Sequence, residues 1–549
     1  MRSLFLLSLF LIFLGCKSSE EEKNQNSESK KDANLSAISN KPFREFKVLD
    51  SKYLQSSEIW AAFDEDFRDF TEDTYNALKP LILEQDIPTI QQHIATKKLS
   101  YELLTKFYLY RIKTFDREND LSLNAVIAIN PDVINEARQR DKELMGTAER
   151  HPIFGMPILL KDNINTRNLP TTAGSVALQE NNTETDAFIT QRLIENGALI
   201  LGKTNLSEWA YYFCGNCPSG FSAIGGQTLN PYGRKTLDTG GSSSGSGVAV
   251  AANFCVAAVG TETAGSILSP ASQNSVVGLK PSIGLLSRSG IVPISSTLDT
   301  PGPISKNVID NAILLDAMSG YDAADFKAYS SNAESRSYFQ NLSDASVKSK
   351  RFGAFKNLME DSLYVNAIAV LKSQGAEIIE ISEVPVEFPA FLRLLNLDMK
   401  KDLPTYFSEY GNQQLNFKTV EDLMAFNEID SLNTMPYGQN LFKAVAADSA
   451  SKEEHEAIKQ TLKTNGRRFF DIPMQEQNLD AVLSMNNYHA AEAAVAEYPA
   501  LTVPMGYALD AAPEGLTFIS KPKSEKKLLG WGYVYEQASK MRKAPKAYN

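Results

Sequence analysis

An α/β fold, with a sheet covered on both faces by helices, is what this 549-residue sequence predicts. Three observations lead to it. Short apolar runs of strand length alternate with helical patterns between residues 123 and 381. The hydrophobic share of 43% with 22% charged residues is that of an ordinary soluble globular protein. The length suffices for one large domain or two to three ordinary ones.

The elements follow in chain order. Residues 58–112 carry helical patterning, with Asp86-Ile87-Pro88 as one helix start and Ser100, before YELLTKFYLYRI, as another. Residues 123–132 (LNAVIAINPD) read as a strand and turn, and 157–161 (PILLK) as a buried strand. Asp186 is expected to cap a helix over AFITQRLIEN that Gly197 ends, with ALILGK following as a strand. After a Ser/Gly run, residues 248–254 read as a helix, and CVAAVGT as a strand that delivers a glycine-rich loop holding Ser266. Asp361 to Lys372 reads as a helix and 376–381 (AEIIEI) as a strand. Residues 388–475 are mostly helical without strong strand patterns, which suggests a helical cap or specificity region.

The N-terminus stands outside this pattern. Arg2 precedes an apolar run at 4–14, which is too short to span a bilayer but suits a signal peptide over residues 1–15. The Gly15-Cys16 ending resembles a bacterial lipobox, with Phe13 where Leu is usual. That resemblance implies cleavage before Cys16, lipidation of its thiol and anchoring of the protein in the cell envelope. Residues 16–42 are too polar to fold and read as a disordered tether, leaving 43–549 as the folded domain. A net charge of −11 argues against general nucleic-acid binding. The C-x-x-C pair Cys214 and Cys217 admits a disulfide in an exported protein. Zinc would need a second ligand pair, and a thioredoxin motif would open a helix where these flanks are loop-like, so loop stapling is expected.

Three segments carry the chemistry. The chain has only 4 histidines, so a serine hydrolase here needs another base, and a desolvated lysine is one of the few available. Lys161 ends the apolar run PILLK. Burial would lower its pKa and make the neutral amine a base. GGSSSGSG begins at Gly240; its G-x-S-x-G reading would make Ser243 a nucleophile with His489 as base, but such an elbow needs a strand immediately before it, and NPYGRKTLDT is polar and turn-rich. In GTETAGSILSPA the amides of Thr263, Ala264, Gly265 and Ser266 can converge on a carbonyl attacked by Ser266, as an oxyanion hole requires.

HPIFGMPILLKDNINT, TTAGS, ALILGKTNLSEWA, GGSSSGSG and GTETAGSI–P occur in the order that resembles the amidase signature family; VVGLKPSIGLLSRSGIVPIS, LDTPGPISK and YPALTVPMG extend the match. The resemblance implies a single large domain with a mixed twisted sheet. It further implies a catalytic triad of Ser266 as nucleophile, Ser242 as bridging serine after a cis peptide, and Lys161 as base, with no metal or other cofactor. The motifs look closest to bacterial peptide amidases, which release ammonia from C-terminal peptide amides. The expected substrate is therefore a small amide or peptide amide. A general aryl or aliphatic acylamide amidase and an inactive amidase-like binding protein are the alternatives. Departures from the family pattern are Ala264, where Gly or Asp is usual and where a positive φ would be strained, Leu268, where amidotransferase subunits carry Arg, and the tail EGLTFISKPKSEKK. Asp162 and Asp299 are expected to fix loops by hydrogen bonds or to tune the lysine.

Overall fold

The computed structural model describes residues 45–144, 150–329 and 337–549. The signal peptide, Cys16 and the tether lie outside the described residues. The strands are β1 (Val126–Ile129), β2 (Pro157–Lys161), β3 (Leu199–Thr204), β4 (Phe221–Ser222), β5 (Gly226–Gln227), β6 (Ala257–Glu262), β7 (Val277–Lys280), β8 (Thr300–Ser305), β9 (Arg351–Phe355), β10 (Glu377–Ile381), β11 (Ala481–Met485), β12 (Ala500–Tyr507) and β13 (Pro513–Ile519). β4 and β5 pair with each other, and the other eleven form one mixed sheet in the order β1-β3-β2-β6-β8-β7-β12-β13-β11-β9-β10. β3, β2 and β6 run parallel at one end, as do β11, β9 and β10 at the other, and antiparallel pairs join the two sets.

Every residue of β2, β3, β6, β7 and β11 is buried, so both faces of the sheet centre are covered. This is why PILLK and ALILGK read as continuous apolar runs and not as alternating strands. Local signals placed several helices well. Asp86 accepts from Thr89 N, Ser100 from Leu103 N and Asp361 from Leu363 N and Tyr364 N, each capping the helix it begins. Asp186 does not cap. The helix Phe188–Glu195 starts after Ala187, and the Asp186 carboxylate instead accepts from Arg167 N at 2.8 Å. A loop donor has captured it.

The Ser/Gly run becomes the helix Ser244–Ala251, buried along its whole length. A Cβ on Gly245 would lie 2.5 Å from both Ala125 O and Asn205 O, so only glycine lets this helix approach the backbone that close. Residues 391–476 form a second helical layer: Phe391–Glu409, Val420–Ile429, Asn440–Ala447 and Lys452–Glu476 are its longer helices. They share a core with the chain around Trp209; Phe442 packs on Trp209 and on Phe213 at 5.3 and 5.0 Å between ring centres. Cys214 and Cys217 are joined by a disulfide beside this core. Among the described residues no helix is long and apolar enough to cross a membrane.

Candidate active site

β2 and β6 are parallel neighbours, with Leu160 opposite Val259, so their carboxyl ends lie side by side. Lys161, the last residue of β2, thereby meets Thr261 near the end of β6. Its Nζ is 2.8 Å from Thr261 Oγ1, 3.1 Å from Thr261 O and 2.7 Å from Ser242 Oγ. The side chain is fully buried. Burial lowers the Lys161 pKa to about 7, while Asp299 and Glu262 pull it back toward charge. A neutral amine has two N–H groups and one lone pair. Two donations to Thr261 would use both N–H groups and leave the lone pair for the Ser242 hydroxyl.

Ser242 follows a cis peptide from Gly241 and is buried, and its carbonyl accepts from Ser207 N at 3.0 Å. Ser266 is half-buried. Its carbonyl accepts from Ser243 N at 3.2 Å, which sets the Ser266 loop against the residue after Ser242. Glu262 holds this loop from below: one carboxylate oxygen accepts from Ile267 N at 2.7 Å and Leu268 N at 3.0 Å. The left-handed conformation in the loop falls on Gly265 (φ +95°), whereas Ala264 is not among the positive-φ residues, so alanine is accommodated there without the anticipated strain. Among the described residues no acceptor is bonded to the amides of Ala264, Gly265 and Ser266. Thr263 lies at the start of the same turn and donates its hydroxyl to Asp299 Oδ1 at 2.6 Å.

The Ser243–His489 alternative does not assemble. Ser243 is fully buried, and its hydroxyl donates to Thr261 O (3.0 Å) and accepts from Thr261 N (3.2 Å), standing in for a strand neighbour. His489 is occupied elsewhere, with Nδ1 2.6 Å from Ser484 Oγ and Nε2 3.1 Å from Glu383 Oε1, stacked on Phe355.

The two aspartates have different surroundings. Asp162 faces Lys203 Nζ at 3.3 Å and accepts from the amide and hydroxyl of Thr172, so it fixes a loop; burial raises its pKa. Asp299 accepts from Thr263 Oγ1, Ile294 N and Ser295 N, and burial pushes it up to about 6 against those three bonds. Thr261 and Asn163 escaped the sequence reading. Asn163 Nδ2 donates to Thr261 Oγ1 at 3.1 Å and to Val292 O at 3.3 Å, tying the lysine's partner to the cleft wall. Their signal was position: one sits in GTETAGS itself, the other two residues after Lys161.

Thr261→Val keeps the shape and removes an acceptor from Lys161. The expected result is a roughly 10- to 100-fold slower reaction of Ser266 with a fluorophosphonate, with Thr261→Ser restoring most of it.

A cleft of about 360 Å³ opens beside this cluster. Asn163, Thr261, Thr263 and Asp299 line it at the cluster; the segment 291–296 and the helix Phe391–Glu409 supply further wall. The structure thus brings a buried low-pKa amine against Ser242 and sets the Ser266 loop, with its free amides, against the residue that follows, near a cleft that Thr261 and Thr263 line; these are components suited to acyl transfer without histidine.

The family model described as Amidase matches residues 104–484. A probable amidase of Arabidopsis thaliana is 37% identical over 480 residues, covering 85% of this chain and 92% of that protein. An amidase family protein from Bacillus anthracis has a structure superposing with a TM-score of 0.85 at 36% identity, over 90% of this chain and 99% of that one. The native peptide amidase from Stenotrophomonas maltophilia superposes with a TM-score of 0.80 at 37% identity, over 84% and 98%. With the fold, the site and these likenesses in agreement, the chain belongs to the amidase signature family and is an amidase, a hydrolase of amide C–N bonds.

Proposed function

We propose that this amidase removes the C-terminal amide of peptides and releases ammonia, using Ser266 as nucleophile, Ser242 as proton bridge and Lys161 as base. The observation that carries the mechanism is the 2.7 Å contact between Ser242 Oγ and a lysine whose pKa burial lowers to about 7. The peptide-amide substrate rests on the 37% identity to the Stenotrophomonas peptide amidase.

In this reading neutral Lys161 takes the Ser242 proton while Ser242 takes that of Ser266. Ser266 Oγ bonds to the amide carbon, and the carbonyl electron pair moves to oxygen, where the amides of Thr263, Ala264, Gly265 and Ser266 hold the charge. The proton on Lys161 returns through Ser242 to the amide nitrogen as the C–N bond breaks, and ammonia leaves. Water then attacks the acyl-enzyme, giving its proton to the same relay, and Ser266 departs as the hydroxyl.

Ammonia release from peptide amides, glutamine, and simple aryl and aliphatic amides tests the substrate. The expected ranking puts peptide amides first by at least tenfold in kcat/KM, about 1.4 kcal/mol of transition-state preference. Turnover of glutamine alone would overturn it.

We further propose that residues 1–15 are a signal peptide, that Cys16 carries lipid and that residues 16–42 tether the domain 43–549 to a bacterial envelope membrane. Detergent-phase partitioning of the expressed full chain, lost in Cys16→Ala, is the expected result. Equal partitioning of the two would exclude the anchor.

A further inference from the structure

The wall of the cleft formed by residues 288–299 is bonded along nearly its whole length. Val292 N donates to Asn163 O at 2.8 Å, and Ile294 N and Ser295 N donate to Asp299, which itself receives the Thr263 hydroxyl of the nucleophile loop. From the other side comes the helix Phe391–Glu409. Its Asp402 accepts from Ser296 N at 2.6 Å, and its Asp398, one turn earlier on the same face, accepts from Ser295 Oγ at 2.5 Å. The Ser295 hydroxyl oxygen also receives Thr297 N and Leu298 N, so Asp398 fixes the group around which this turn is folded.

Asp398 is fully buried and outside the cleft. Its second oxygen lies 2.8 Å from His455 Nε2 and 3.7 Å from Lys459 Nζ, both on the helix Lys452–Glu476. Two helices of the second layer and one cleft wall therefore meet on a single carboxylate. One oxygen of this buried carboxylate accepts from Ser295, and the other lies within ion-pair distance of two basic side chains without a hydrogen bond of good geometry. One of those oxygens here reaches the substrate wall and not merely another helix.

We propose that Asp398 is a positioning residue: by holding Ser295 it fixes the cleft wall against which the acyl part of the substrate lies, and so sets the preference for extended over short acyl groups. This rests on the reading above that the chemistry occurs at Ser266 beside this cleft. A short amide engages the nucleophile loop with little of the wall, whereas a long one needs both.

The test compares kcat/KM for a tetrapeptide amide with that for acetamide. Asp398→Ala is expected to lower the ratio at least fivefold, chiefly through KM of the longer substrate, roughly the effect of one displaced hydrogen-bonded contact. Ser295→Ala should do the same, and the double variant should be no worse than the poorer single one, because both remove one interaction. Asp398→Asn keeps an acceptor for Ser295 and should restore the ratio to within about twofold. A lower Tm with an unchanged ratio, or a Ser295→Ala enzyme unlike Asp398→Ala, would overturn the proposal and leave Asp398 as a tie between helices. Should Asp398→Ala fail to fold, Ser295→Ala and Asp398→Asn decide the matter. If the wild-type enzyme hydrolyses no peptide amide, the substrate reading falls by itself, and the ratio of hexanamide to acetamide tests the wall.

Discussion

Ser266→Ala is expected to abolish labelling by a fluorophosphonate and to lower kcat/KM by about 10⁴-fold or more, the scale of a lost nucleophile. Three neighbouring serines compete for that role, and their surroundings separate them. Ser242 and Ser243 are fully buried, while Ser266 is half-buried on the loop that Thr263 begins, and Thr263 lines the cleft. Ser243 spends its hydroxyl on the backbone of Thr261. Ser243→Ala should therefore cost stability, about 1–3 kcal/mol for the Thr261 amide that loses its acceptor, yet retain labelling. Ser242→Ala should slow labelling by roughly 10²- to 10⁴-fold without preventing it, because the proposed nucleophile Ser266 remains while the proposed path to Lys161 is cut. Labelling that survives Ser266→Ala and disappears in Ser243→Ala would reverse the assignment.

What the sequence disclosed depended on how local each cause was. Asp86, Ser100 and Asp361 were readable as helix starts because each bonds an amide two or three residues away. Asp186 misled because its partner, Arg167 N, lies 19 residues back in a loop that no periodicity announces. Strand identities in β2, β3, β6 and β10 were legible from apolar runs, but the order of eleven strands was not. It is set by which buried faces pack together, including β8 threading between β6 and β7. In the site, Lys161 and the loop around Ser266 stood out because strand-end motifs are compact in sequence. Thr261 and Asn163 did not, since a threonine and an asparagine acquire meaning only when parallel pairing of β2 with β6 places them on the lysine. The link from Ser295 to Asp398 spans 103 residues and belongs to tertiary packing alone.

Lys161→Met should cost at least 10³-fold in kcat, and the pH dependence of both rate and stability should show why. As the proposed base, Lys161 must be neutral to act, so kcat/KM is expected to rise with pH through a limb near 7, set by the lowered lysine pKa. The variant should lose that limb with the activity. Stability gives a separate reading. Below pH 7 the lysine is charged in both native and unfolded chains, and its full burial cost is present. Between pH 7 and about 10.4, the ordinary lysine value, the native amine is neutral while the unfolded one still binds a proton, so wild-type stability gains up to about 1.4 kcal/mol per pH unit from this group. Methionine has nothing to titrate. The stability difference between variant and wild type should thus shift in favour of wild type across that window, by several kcal/mol in total. The slope is diagnostic where the absolute difference is not, because methionine also leaves Thr261 O and the Ser242 hydroxyl without the amine, a constant loss at every pH. Other buried lysines, among them Lys203, Lys280 and Lys306, titrate in both proteins and cancel in the difference. Chemical denaturation of the pair at several pH values from 6 to 10 makes the measurement. A difference that stays flat would mean that Lys161 keeps an ordinary pKa, and with it would fall the case for a neutral lysine as the base.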